Sequence, residues 1–151
     1  MATYVISDIH GNLDIFKKLL KKIDFKFTGE DKLYLLGDYV DWGPKSLETL
    51  LYVMELDKKY DFIHPLIGNH DLMFLEQINL FKKDPLEIYD NWVYGNGGKN
   101  TLESYLKLTN IEKKEVEDYL ENLPYRLEVT VNGKSYVMAH ACPVEDRKAH
   151  V

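Results

Sequence analysis

Three short apolar runs, "TYVIS" at 3–7, "KLYLL" at 32–36 and "FIHPLI" at 62–67, constrain this chain more than any other feature. Their β-branched and aromatic residues mark them as strands. Between the first two, Leu13, Phe16, Leu19, Leu20 and Ile23 recur at helical spacing, which predicts a helix from Leu13 to Lys22. Between the second and third, Leu47, Leu50, Leu51 and Met54 do the same. Pro44 suits the opening of that helix, which runs to about Lys58. Parallel neighbours cannot be joined by a tight hairpin, so βαβαβ order implies a parallel sheet with right-handed crossovers. Pro65 removes a ladder donor and assigns the third strand to an edge or a bulge.

Beyond this unit the pattern predicts a helix over about 71–81 and a loop, "YDNWVYGNGGKN". Two further helical stretches follow, near 101–107 and 111–122. "YRLEVTV" and "SYVMAH" then alternate about Asn132-Gly133-Lys134 as a β-hairpin. A length of 151 residues, 45% hydrophobic, fits one domain with a real core, taken here as residues 1–151. The net charge of −6 argues against a nucleic-acid polymer as partner, though a metal can supply local positive charge for a small phosphorylated one. The start has no basic leader, and no run approaches the ~20 apolar residues a membrane span needs. A single cysteine, Cys142, excludes an intramolecular disulfide framework and fits a reducing cytoplasm. The expected protein is therefore cytoplasmic, with no membrane partner.

The polar residues gather where the strands end. Asp8 and His10 follow the first strand, and Gly37-Asp38 follows the second. Gly68-Asn69-His70-Asp71 follows the third, and His140 closes the hairpin. Ligands of open α/β sheets bind at the carboxyl ends of the strands. Four segments thus deliver carboxylates, an amide and imidazoles to one edge. That donor mixture suits borderline divalent ions such as Mn²⁺, Zn²⁺ or Fe²⁺. Two such ions sharing a carboxylate would clamp the oxygens of an in-line displacement and acidify a water, so no serine or cysteine nucleophile is required. Without metal, Asp8 and Asp38 are expected to repel, raising at least one pKa.

"SDIHGN", "GDYVDWGP", "GNHD" and "MAHA", in this order, resemble the signature blocks of the calcineurin-like metallophosphoesterases. They are most similar to the phosphoprotein phosphatase branch and its small bacterial and phage members. "NWVYGNGGKNTLESY" and "LPYRLEV" resemble the same subgroup. The resemblance implies a two-sheet β-sandwich flanked by helices and two divalent metal ions, most simply Mn²⁺. It implies Asp8 and His10 on the first metal, Asp38 bridging, and Asn69 and His140 on the second. It also implies His70 as general acid, oriented by Asp41. The activity implied is hydrolysis of phosphomonoesters in the manner of a serine/threonine protein phosphatase, on a phosphorylated protein or a small phosphoester. Hydrolysis of a nucleotide or dinucleoside polyphosphate is the alternative. A weakly active metal-binding remnant serving as an interaction module is a third reading.

Departures from the pattern are as informative. Trp42 stands where the family has an arginine that grips phosphate, and Ile67 stands where a second arginine is common. An indole cannot fork onto phosphate oxygens, but it offers a stacking face to an aromatic leaving group or a base. Filling space beside the site is the competing role. Asn96, with Gly97 and Gly98, either shapes a substrate loop or forms a plain turn. Lys99, Arg126 and Arg147 are candidate substitutes for the missing arginines. Tyr89, Trp92 and Tyr94 are assigned to a loop over the site. The family's last strands and its last histidine, in a Gly-His-Thr-like context, have no counterpart before Val151, and His150 is read as a tail residue.

Overall fold

The computed structural model describes residues 2–84 and 91–141. Tyr89, Cys142, Arg147 and His150 lie outside the described residues. Strands β1 (Thr3–Ile6), β2 (Lys32–Leu35) and β3 (Ile63–Pro65) form a parallel sheet in the order β1-β2-β3. Thr3 pairs with Lys32, and Leu33 with Ile63. Central β2 buries Leu33, Tyr34 and Leu35 in succession, as a strand covered on both faces must. Pro65 lies opposite Leu35 on the outer strand, where its missing N–H costs no ladder bond. His64 stacks on Tyr34 with centroids 4.8 Å apart, a structural position.

The crossovers are α1 (Leu13–Lys22) and α2 (Ser46–Lys59). Helix α1 turns Leu13, Phe16 and Leu20 inward and leaves its four lysines exposed. Asp14 in its first turn and Lys21 and Lys22 in its last complement the helix dipole. Helix α2 buries Leu47, Leu50, Val53 and Leu56 on one stripe. Helix α3 (Asn69–Lys83) begins two residues before the predicted start. The cause is local: the Asp71 carboxylate accepts the Gly68 N–H at 2.9 Å, fixing the first turn around Asn69 and His70.

A π-helical turn (Asn91–Gly95) leads into α4 (Lys99–Leu106), which packs on α2. Helix α5 (Asn110–Asn122) packs on α3. Its start is fixed by Thr109 and Glu112, each side chain accepting the other's backbone N–H. Strands β4 (Arg126–Val131) and β5 (Lys134–Ala139) pair antiparallel. Asn132 and Gly133 form the turn at φ 50° and 74°, the doubly left-handed geometry a two-residue hairpin favours. The hairpin joins the parallel sheet through the Ile67 N–H to Pro124 O bond of 3.0 Å and a His140 Nδ1 to Leu36 O bond of 2.8 Å. Two sheets flanked by helices are the architecture that the sequence resemblance implied. Among the described residues, no helix is long and apolar enough to cross a membrane.

Candidate metal centre

The loops after β1 and β2 continue side by side beyond the strands. The N–H groups of Asp8, His10 and Gly11 donate to the carbonyls of Gly37, Asp38 and Tyr39 at 3.2, 2.9 and 2.9 Å. Gly37, at φ 94°, brings the third loop equally close: a Cβ there would lie 2.2 Å from the Gly68 nitrogen. No other residue fits. Five of the seven described non-glycine residues at positive φ lie here: Asp8, His10, Asp38, Asp41 and Trp42. Each such residue costs on the order of 1 kcal/mol, and such strain concentrates at ligand sites.

Asp71 holds this strained backbone. Fully buried, its carboxylate accepts the N–H groups of Asp38 (2.7 Å), Tyr39 (2.8 Å), Val40 (3.3 Å) and Gly68 (2.9 Å). Burial pushes its carboxyl up to about 6, against the pull of those donors towards the ionised form. Asp71→Ala would orphan several buried N–H groups at ~1–3 kcal/mol each before relaxation. The expected loss of stability is about 3 kcal/mol, a fall of ~10 °C in a melting curve. A shift under ~2 °C would mean that the turn holds itself.

Four side chains meet around Asp38. His10 Nε2 lies 3.5 Å from Asp38 Oδ2 and 3.9 Å from Asp8 Oδ1. His140 Nε2 lies 3.2 Å from Asp38 Oδ2 and 2.8 Å from Asn69 Oδ1. Both imidazoles are aimed by their other nitrogen, which donates to a backbone carbonyl: His10 Nδ1 to Val40 O and His140 Nδ1 to Leu36 O, each at 2.8 Å. That commitment fixes the tautomer and points Nε2 at the cluster, as metal-binding histidines require. Among the described residues, Asp38 belongs to both potential ligand groups, Asp8–Asp38–His140 and His10–Asp38–His70. The donor set fits divalent cations.

The expected mutual repulsion of the two aspartates does not raise Asp38. Burial pushes its carboxyl up, but hydrogen bonds from His140 and the His70 N–H bring it below its ordinary range. Asp38 in turn raises His140, chiefly through the same hydrogen bond. Metal binding must displace that imidazole proton, so affinity rises with pH.

Beside the cluster, His70 Nδ1 donates to Asp41 Oδ2 at 2.8 Å. Asp41 is buried, and its oxygens also accept Trp92 Nε1–H (3.0 Å) and Thr101 Oγ1–H (2.6 Å). Because Thr101 spends its proton on Asp41, Ser46 donates to Thr101 across 2.5 Å. Burial raises the Asp41 carboxyl, partly offset by these three donors. Trp92 is therefore no lid: it is 1% exposed, stacked on Phe74 and joined to Asp41. A Cβ on Gly98 would strike its ring at 2.2 Å. Ser46 and Thr101 carry no sequence signal for this role, and Asp71 was marked only by its place after His70.

The family-pattern arginine positions resolve differently. Ile67 is buried and donates its N–H to Pro124, so it belongs to the core. Lys99 faces Glu103 at 4.0 Å and Arg126 pairs with Glu128. Trp42 stays 54% exposed, with its ring centroid 6.1 Å from that of His70. Asn96 is half-buried one residue before Gly97, its N–H donating to Trp92 O at 3.3 Å.

The chain belongs to the calcineurin-like phosphoesterase family, whose model matches residues 1–146. A symmetrical bis(5'-nucleosyl)-tetraphosphatase of Chromobacterium violaceum is 35% identical over 141 residues, covering 93% of this chain and 43% of that protein. One from Vibrio parahaemolyticus is 48% identical over 75 residues, 50% of this chain and 26% of that protein. This chain thus spans less than half of either relative. In fold it is similar to the crystal structure of a candidate diadenosine tetraphosphatase, with a TM-score of 0.60 at 24% identity over 95% of this chain and 53% of that one. It is also similar to a cold-active protein-tyrosine phosphatase of a psychrophilic Shewanella, with a TM-score of 0.56 at 21% identity over 99% of this chain and 46% of that one.

Proposed function

We propose that the chain is a metal-dependent phosphoester hydrolase of the dinucleoside polyphosphate kind. The observation that carries the reading is the convergence of Asp8, His10, Asn69 and His140 on Asp38, with the His70–Asp41 pair alongside. The nucleotide substrate displaces the phosphoprotein reading favoured from sequence. It is supported by the named activity of the two curated relatives and by an indole in place of the phosphate-gripping arginine. We assign Asp8 and His10 to one divalent ion, Asn69 and His140 to a second, and Asp38 to both. Mn²⁺, Zn²⁺ and Fe²⁺ all suit these donors, with Mn²⁺ first to be tested. When bound, the ions supply the charge that activates a water and polarises the phosphoryl oxygens. His70, with Nδ1 committed to Asp41, keeps Nε2 to give a proton to the leaving oxygen. As an acid it gives up the proton on Nε2 while Nδ1–H stays on Asp41.

Residues 1–151 are proposed to form one catalytic domain. The test is turnover by the chain with added Mn²⁺ on diadenosine tetraphosphate, a phosphoserine peptide and p-nitrophenyl phosphate. The expected order places the dinucleotide above the phosphopeptide in kcat/KM by about tenfold or more, the size of one base-stacking contact. The reverse order restores the protein phosphatase reading. Metal binding without turnover of any of the three establishes the remnant.

A further inference from the structure

Burial does not explain the position of Trp42. It adopts φ 65°, a costly conformation for a bulky side chain, and yet leaves 54% of itself in solvent. A hydrophobic side chain that merely filled space would gain most by turning inward. Instead it is held from the side. Its N–H donates to Gly97 O at 3.1 Å, and the Gly97 backbone lies directly against the indole. A Cβ at Gly97, itself at φ 74°, would fall 2.6 Å from Cδ2 and 2.8 Å from Cε3. The ring is thus backed by chain on one side, about half exposed, and tilted 59° beside His70. A half-exposed aromatic surface backed by main chain in this way is what a planar ligand stacks on, because the backing limits the ordering that would oppose binding.

We infer that Trp42, backed by Gly97, is an aromatic stacking subsite for a nucleobase on the leaving-group side of the substrate. The side follows from His70, the group assigned to the leaving oxygen, and so this inference rests on the reading above. A purine stacked there takes over, by contact with its π-face, the anchoring that a charged fork would give through the phosphate. Specificity then shifts away from small phosphomonoesters and towards nucleotides.

Two measurements test it. The first is the ratio of kcat/KM for diadenosine tetraphosphate to that for inorganic tripolyphosphate, which offers the same bond without a base. Trp42→Leu should lower that ratio by about tenfold to a hundredfold, and Trp42→Phe should recover most of the loss. Trp42→Arg should raise kcat/KM on small phosphomonoesters by about tenfold while lowering the ratio, since hydrogen bonds to charged groups contribute ~1.5–3 kcal/mol. The second needs no turnover: titration of adenosine 5'-monophosphate against tryptophan emission. The chain has two tryptophans and Trp92 is buried, so saturable quenching that vanishes in Trp42→Leu reports stacking at Trp42. Quenching without hydrolysis of either polyphosphate leaves the subsite standing and removes the enzyme reading. Hydrolysis with an unchanged ratio in Trp42→Leu and no Trp42-dependent quenching keeps the enzyme and overturns the subsite.

Discussion

Asp38→Asn is expected to strip the chain of both ions and to lower kcat/KM by ~10³-fold or more. Several kcal/mol of transition-state stabilisation come from metal charge, and each 1.36 kcal/mol is a factor of ten. Asparagine is the informative substitution. It tolerates the left-handed φ of 58° that Asp38 adopts, and its side-chain oxygen can still accept the His70 N–H now bonded at 2.9 Å. What it removes is the charge at Oδ2, the atom lying between His10 Nε2 and His140 Nε2. Alanine would confound that loss with an orphaned N–H and a strained backbone. Metal content per chain after dialysis, measured alongside the melting temperature, separates lost ligation from lost folding. Asn69→Ala should deplete one ion only, because Asn69 is assigned to a single position. If Asp38→Asn retains as much metal as Asn69→Ala, Asp38 is not shared.

The parallel sheet and its helices were legible because a buried strand and a one-faced helix impose different hydrophobic periods. Leu13, Phe16 and Leu20 could satisfy only the helical one. The convergence of Asp8, His10, Asp38, Asn69 and His140 was legible for a related reason: side chains at strand ends are carried to one edge by topology, whatever the loops do. What could not be read is whatever depends on close contact between distant segments. The early start of α3 needed the Asp71 carboxylate, which also holds N–H groups from residues 38–40, more than thirty positions earlier. Trp92 looked like an aromatic cover over the site, yet its indole N–H found the buried Asp41 and its ring found Phe74. Ile67 looked like a missing arginine and is core. The supposed repulsion between Asp8 and Asp38 ignored His140, which reaches Asp38 from more than a hundred residues away.

His70→Ala is expected to lower kcat by ~10²–10⁴ on an alkyl phosphate, the range that a positioned acid contributes. An alkoxide is a poor leaving group and must be protonated as the bond breaks. A nitrophenolate leaves without help, so the loss on p-nitrophenyl phosphate should shrink to about tenfold or less. The loss on diadenosine tetraphosphate should also be smaller than on the alkyl phosphate, because a nucleoside polyphosphate leaves more readily than an alkoxide. The geometry makes a second requirement. Asp41 fixes His70 Nδ1 at 2.8 Å and is itself held by Thr101 and Trp92. Thr101→Val should therefore lower kcat on the alkyl phosphate with little change in KM, since it loosens the acid without touching the substrate. Losses from His70→Ala that are equal across all three leaving groups would assign His70 to binding or to the fold, and the His70–Asp41 pair would then serve to hold the loop that carries Trp42.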